Sequence, residues 1–277
     1  MARPAQAGIP FAKYTGAGND FVVVDAGRLG GTDPAELARA MCSRRTGVGV
    51  DGLALVRPEG TGLVHVTFFN PDGSEFGTCG NGTRCVARWA DDAGLTDAGA
   101  LRIETADGPI EADVRGDAVS LVYRIEARIR TELEVPVEGR ARLAWLVQIG
   151  TPHLVVPLEA QPEGPIEEIC RPLRHLPELG PAGANVDLVA LESPGGGSIR
   201  TFERGVEGET LACGSGAMAA VLALHALGRA RPELRLVTRS GDPLTVTLLD
   251  PDGERPDRPI RLAGPARRLF EGRFPAT

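Results

Sequence analysis

Lysine is almost missing from this sequence: of 30 basic residues only Lys13 is a lysine, the rest being arginine. Any chemistry that needs a Schiff-base lysine therefore has one residue to use. Cysteine is sparse and odd in number, at Cys42, Cys79, Cys85, Cys170 and Cys213, which excludes a disulfide scaffold. No C-x-x-C or H-E-x-x-H occurs, and the four histidines (His65, His153, His175 and His225) are scattered. No dedicated metal site is expected from such spacing. A P-loop is absent too. Basic charge is in deficit, with 37 acidic residues against 30 basic and a pI near 5.3, so no general nucleic-acid surface is expected.

Long apolar runs are also lacking. The longest uncharged stretch is LACGSGAMAAVLALHALG (211–228), broken by Ser215, His225 and glycines. It sits at the lower length limit for a membrane span and reads instead as a buried helix stopped at Gly228, with no membrane partner expected. Residues 1–10 hold no apolar signal segment, so reduced thiols in a cytoplasmic setting are expected.

What is present is ordinary globular material. Hydrophobic residues make up 42% and charged residues 24% of 277 positions, enough for one large or two modest domains. With 36 glycines and 22 prolines, many tight turns and short strands are expected. FVVVD (21–25), LVHVTFFN (63–70), HLVVPL (153–158), VDLVAL (186–191), SIRTFE (198–203) and LTVTLL (244–249) read as strands. DPAELARAMCSRR (33–45) reads as a helix with Asp33 as cap and Pro34 in its first turn. The order is no regular βαβα alternation, which points to a mixed α+β fold.

A weak internal repeat carries the most information. GSEFGTCGNGTRCVARWADDAG (73–94) and GETLACGSGAMAAVLALHALG (208–228) share E-x-x-x-C-G-x-G, followed by a helical segment ending at a glycine. Two related domains, each presenting one cysteine, follow from this. The charged, motif-poor stretch after Arg124 places the crossover near 125–135.

The physics of C-G-x-G before a helix is specific. Glycines let backbone approach a ligand, and the first helical turn aims unpaired N–H groups forward, where they bind a carboxylate and favour a thiolate. A helix end is worth about 0.3–1 kcal/mol, up to about 2 when partly buried, or roughly one pKa unit before burial acts the other way. Two such cysteines facing each other rest as one thiolate and one thiol. The thiolate can take a proton from one face of a carbon while the thiol supplies one to the other, inverting a stereocentre. Cys42, Cys85 and Cys170 lack this context and read as buried small apolar residues.

The blocks FAKYTGAGNDFVVVD (11–25), RRTGVGVDGL (44–53), FFNPDGSEFGTCGNGTRC (68–85), GTPHLV (150–155), ANVD (184–187), FERGVEGETLACGSGA (202–217) and AGPARRLFEGRF (263–274) resemble those of diaminopimelate epimerase, collinearly over essentially the whole chain. The resemblance implies a small-molecule amino-acid substrate and interconversion of LL- and meso-diaminopimelate, a step of lysine and peptidoglycan synthesis, without pyridoxal phosphate or any other cofactor. It implies two pseudo-repeated domains, each a curved mixed sheet around a central helix, with the active site in the cleft between them. Their expected limits are 11–130, joined by the C-terminal strand 265–277, and 131–264. A homodimer is left open.

Carried over position by position, Cys79 and Cys213 are the implied catalytic bases. Gly80, Asn81, Gly214 and Ser215 would hold the reacting centre through backbone donors. Asn19, Asn70 and Asn185 would hold the substrate by their amides, Arg204 would pair with its distal carboxylate and Glu203 with an ammonium group. His153 would support the site around the second cysteine. Two departures stand out. Thr151 replaces the usual substrate-binding asparagine of G-N-P-H, which leaves open a racemase of the same fold acting on another amino acid. ERG-VE-GET is one residue longer than the usual spacing, so a small bulge is expected there. A thiol redox protein using Cys79 and Cys213 is the reading from a different class.

Overall fold

The computed structural model describes residues 8–252 and 258–275. The chain divides into two compact units, Met1–Leu121 with Pro265–Thr277, and Val122–Gly264. The division comes earlier in the chain than the 130/131 boundary and the 125–135 crossover read from the sequence. The stretch that looked motif-poor is a strand, whose apolar residues Leu133, Val135 and Val137 alternate with the exposed Glu134 and Pro136.

The first unit runs β1 (Ile9–Gly16), β2 (Asn19–Asp25), α1 (Pro34–Cys42), β3 (Gly52–Pro58), β4 (Leu63–Phe69), β5 (Glu75–Phe76), α2 (Gly80–Asp92), β6 (Ala100–Thr105), β7 (Gly108–Arg115) and β8 (Ala118–Arg124). Within β8 the chain passes to the second unit. There follow β9 (Arg128–Val137), β10 (Arg140–Ile149), β11 (Thr151–Leu158), α3 (Glu167–Arg174), β12 (Asn185–Ser193), β13 (Gly196–Glu203), β14 (Gly208–Thr210), α4 (Gly214–Ala226), β15 (Glu233–Val237), β16 (Pro243–Leu248) and β17 (Pro259–Pro265). The last strand, β18 (Arg267–Phe274), returns to the first unit and pairs antiparallel with β1.

The repeat suspected from two short motifs extends through the topology. In the first unit β1–β2 is antiparallel, β2–β3 parallel across α1, β3–β4 antiparallel, and β4–β6 parallel across α2. In the second unit β10–β11, β11–β12 across α3, β12–β13 and β13–β15 across α4 follow the same sequence of senses. The short strands β5 and β14, which deliver the chain to α2 and α4, pair antiparallel with β4 and β13 respectively. This is a mixed α+β fold, as the sequence order implied.

Each unit wraps its sheet around one helix. α4 is hydrophobic on every side and packs against β10, β11, β12, β15 and β16, so that Gly214 and all residues from Gly216 to Leu224 are buried. α2 packs against β1, β2, β7 and β18, burying Asn81 through Ala87 and Ala90. A sheet whose successive strands all touch one helix must curve about it. The run 211–228 thus contains a core helix, and no described helix is long and apolar enough to cross a membrane. Both central helices end at left-handed glycines, Gly94 (φ 69°) and Gly228 (φ 66°), where the absence of a Cβ removes the steric penalty. At α1, Asp33 accepts from the Glu36 N–H at 3.0 Å, the expected cap.

Candidate active site

Cys79 and Cys213 occupy one structural position in the two units. Each is the N-cap of its central helix with extended backbone, φ −125° and ψ 120° at Cys79 and φ −122° and ψ 112° at Cys213. Each therefore lies beside the unpaired N–H groups of a first turn built from Gly80–Asn81–Gly82 or Gly214–Ser215–Gly216. The glycines are required by close approach as well as by the turn. A Cβ on Gly82 would sit 2.9 Å from the Phe68 ring and 3.0 Å from that of Phe21, and one on Gly216 only 2.3 Å from Asp187 Oδ1.

Around Cys79 the structure gathers Asn19 and Asn81. The thiol donates to Asn19 Oδ1 at 3.6 Å, and the Asn81 amide donates to the same oxygen at 3.5 Å. Asn19 is held from behind, its Nδ2 donating to Asp51 Oδ2 at 2.7 Å, while Arg44 pairs with the other Asp51 oxygen at 2.7 Å. The fully buried Arg84 donates to Asn81 Oδ1 at 2.8 Å and to the Gly80 carbonyl at 3.2 Å, clamping the first turn of α2. Lys13 pairs with Asp20 at 2.8 Å and donates to the Gly49 carbonyl at 3.0 Å, so the sole lysine has a structural engagement. Asn70 stands in the turn after β4, where its amide donates to Ser74 Oγ at 3.0 Å.

Around Cys213 the second unit gathers a denser polar group. Cys213 Sγ accepts from the Gly216 N–H at 3.4 Å and lies 3.3 Å from Ser215 Oγ. Ser215 Oγ is 3.0 Å from His153 Nε2, and His153 Nδ1 is 2.8 Å from Asp187 Oδ2. Thr201 donates to the remaining Asp187 oxygen at 2.7 Å. Asn185 reaches His153 Nε2 at 3.3 Å with its amide and accepts the Arg204 N–H at 2.8 Å. Glu203 accepts from Thr210 Oγ1 at 2.6 Å. Thr151 opens β11 opposite Ile149, and the Arg204 guanidinium is exposed at the end of β13.

Burial decides the electrostatics here. It pushes the Cys213 thiol well above its ordinary value, with the Glu203 and Asp187 charges adding to the effect and the Ser215 and Gly216 hydrogen bonds only offsetting it. The helix-end stabilisation anticipated from sequence is real at Gly216 but smaller than the desolvation it opposes. Burial also raises Glu203, partly offset by hydrogen bonds from Thr210 and Cys213. Cys42, Cys85 and Cys170 are buried with thiols raised chiefly by desolvation, Cys42 and Cys170 to about 12, which leaves them inert.

The longer ERG-VE-GET segment forms the turn between β13 and β14. Gly205 (φ 89°) and Glu207 (φ 57°) take left-handed conformations, and Glu207 binds Arg174 at 2.6 Å. Sequence reasoning missed Asp51, Arg84, Asp187, Thr201 and Thr210. Asp51, Arg84, Asp187 and Thr210 all fell inside quoted blocks, and an aspartate within the otherwise apolar run Val186–Ala190 was the available signal.

These two half-sites are matched by the model of the diaminopimelate epimerase family, which covers residues 11–128 and 145–262. The chain belongs to the diaminopimelate epimerase family. It is 34% identical over 278 residues to the diaminopimelate epimerase of Aquifex aeolicus, covering 95% of this chain and 97% of the relative. It is 36% identical over 266 residues to that of Chlorobaculum tepidum, covering 93% and 98%. This chain is accordingly an isomerase of the epimerase type. Its fold is shared more widely. A phenazine biosynthesis protein of the PhzF family from Bacillus anthracis superposes with a TM-score of 0.71 at 18% identity, over 96% of this chain and 99% of that one. A hydroxyproline epimerase from Agrobacterium vitis superposes with a TM-score of 0.68 at 15% identity, over 98% and 92%. The epimerase relatives favour neither a redox protein nor a racemase of another amino acid.

Proposed function

We propose that this epimerase interconverts LL- and meso-diaminopimelate by two-base proton exchange, with Cys79 and Cys213 acting on opposite faces of one α-carbon. The observation that carries the reading is the equivalence of the two cysteines: each is the extended N-cap of a buried central helix, in units whose strand pairings repeat one another. The reaction inverts one carbon, so its forward and reverse directions need like chemistry on opposite sides. A duplicated half-site supplies that.

The thiolate removes the α-proton, and the thiol delivers its own to the other face. The S–H bond broken on one side is replaced by one formed on the other, so no net proton enters or leaves. Gly80–Asn81 and Gly214–Ser215 offer first-turn N–H groups to the charge developing at the α-carboxylate. Asn19, Asn70 and Asn185 supply amide contacts, Glu203 receives an ammonium group, and Arg204 pairs with the distal carboxylate, for which its planar fork is suited. Thr151 offers one hydroxyl where an asparagine would offer an amide. The chemistry belongs to lysine and peptidoglycan synthesis and calls for no cofactor.

The test is proton NMR of LL-diaminopimelate with reduced protein in deuterium oxide. Loss of the α-proton signal with growth of the meso isomer is expected. Cys79→Ala and Cys213→Ala should each lower the rate by about 10²-fold or more, as expected for removal of a base. No exchange, with both thiols free by titration, would overturn the substrate assignment and direct attention to Thr151. A fall of less than about ten-fold in either variant would remove that thiol from the chemistry.

A further inference from the structure

The matching strand pairings put the two units into register residue by residue. Ala54 pairs with Phe68 as Asp187 pairs with Thr201, and Phe21 pairs with Gly52 as His153 pairs with Asn185. The shared E-x-x-x-C-G-x-G motif aligns Gly82 with Gly216. Beneath the first turn of α2 therefore lie Phe21, Ala54 and Phe68, the two rings edge to face at 5.9 Å. At the same positions beneath α4 lie His153, Asp187 and Thr201, fully or almost fully buried and hydrogen-bonded together. One half-site rests on an apolar floor that cannot accept a proton. The other rests on an imidazole and a carboxylate.

We propose that Asp187 is a positioning residue that makes the two thiols chemically unequal, by holding His153 ready to take the Cys213 proton through Ser215. The carboxylate, 2.8 Å from Nδ1, fixes the tautomer with hydrogen on Nδ1, and Thr201 holds the carboxylate's other oxygen. Nε2 then carries the lone pair and faces Ser215 Oγ at 3.0 Å, which in turn lies 3.3 Å from Cys213 Sγ. In the transfer the thiol S–H breaks and its proton goes to Ser215 Oγ, while the Ser215 proton goes to His153 Nε2. A thiolate and an imidazolium result, the imidazolium lying 2.8 Å from Asp187 Oδ2. The groups facing this relay are Glu203 from β13, which accepts a hydrogen bond from Cys213, Asp187 and the Asn185 amide from β12, the amide 3.3 Å from Nε2, His153 from β11, and Ser215 with the Gly216 N–H from α4. Burial and the nearby carboxylates oppose ionisation of the Cys213 thiol, and the relay offers its proton an acceptor inside the protein.

The inference deepens the two-base reading and rests on it, but its test uses substrate-free protein. Long-range proton–nitrogen NMR of the four imidazoles should show His153 as the Nδ1–H tautomer at neutral pH. Asp187→Asn should convert it to the Nε2–H form, because the new amide can donate to Nδ1. In the same variant, carbamidomethylation of Cys213 relative to Cys79, read by mass spectrometry at pH 8, should fall about ten-fold, the equivalent of one pKa unit. A collapse of structure would alter both cysteines together, whereas the proposal moves Cys213 alone. Ser215→Ala breaks the relay while leaving the His153–Asp187 bond, and should slow Cys213 alone with the tautomer unchanged. An unchanged tautomer in Asp187→Asn, or an unchanged Cys213-to-Cys79 ratio in Ser215→Ala, would overturn the proposal. Loss of epimerase activity in the wild-type assay with these results intact would instead overturn the substrate assignment.

Discussion

A carboxylate beside a thiol is the most consequential pairing in the second half-site. Glu203 is held above the ordinary carboxylate range by burial, so the folded chain keeps its proton to a higher pH than the unfolded chain does. Between the unfolded and folded values the native state binds more protons, and stability falls as pH rises through that window. Glu203→Gln removes this cost while keeping an acceptor for Thr210. Thermal melts should therefore find the variant more stable than wild type above the ordinary carboxylate range, the gain vanishing at low pH. Its epimerase rate should fall by about 10²-fold, the usual scale for loss of a charged group acting on a reacting centre. A stability difference that does not depend on pH would show that Glu203 ionises freely.

Secondary structure places these residues through backbone closeness. Gly216 lets α4 lie so near β12 that an added methyl would meet Asp187 Oδ1 at 2.3 Å. That oxygen already accepts from Thr201, so it has no room to retreat. Gly216→Ala should cost about 1–3 kcal/mol in denaturant unfolding, the range for overpacking a filled interior, and should displace the His153 partner. Wild-type stability in this variant would mean that the helix can lift from the strand at no cost. The repeated motif displayed the glycine plainly. It did not display what lay beneath, because Asp187 comes from a strand far off in the chain and its role depends on which strand pairs with which.

The whole molecule is a duplication with one exchange of chain ends, since β18 crosses back to pair with β1. Arg84 also donates to the Pro265 carbonyl at 3.4 Å, tying the returning segment to α2. Removing residues 265–277 should therefore lower amide protection throughout the first unit, while the second, which contains none of them, keeps its own. Hydrogen exchange read by mass spectrometry distinguishes this from uniform loosening, which would contradict the division. At this scale the sequence by itself determined a good deal: the α+β class, the two halves, the buried helix within 211–228 and where the two cysteine-led helices begin. These follow from local periodicity, glycine stops and a motif written twice. Tertiary structure alone decided where the boundary falls, that Lys13 is bound to Asp20, and that one thiol rests over phenylalanines and the other over an imidazole and a carboxylate. Those outcomes depend on strand register and on burial, which join residues far apart in the chain and set charges that no local pattern encodes.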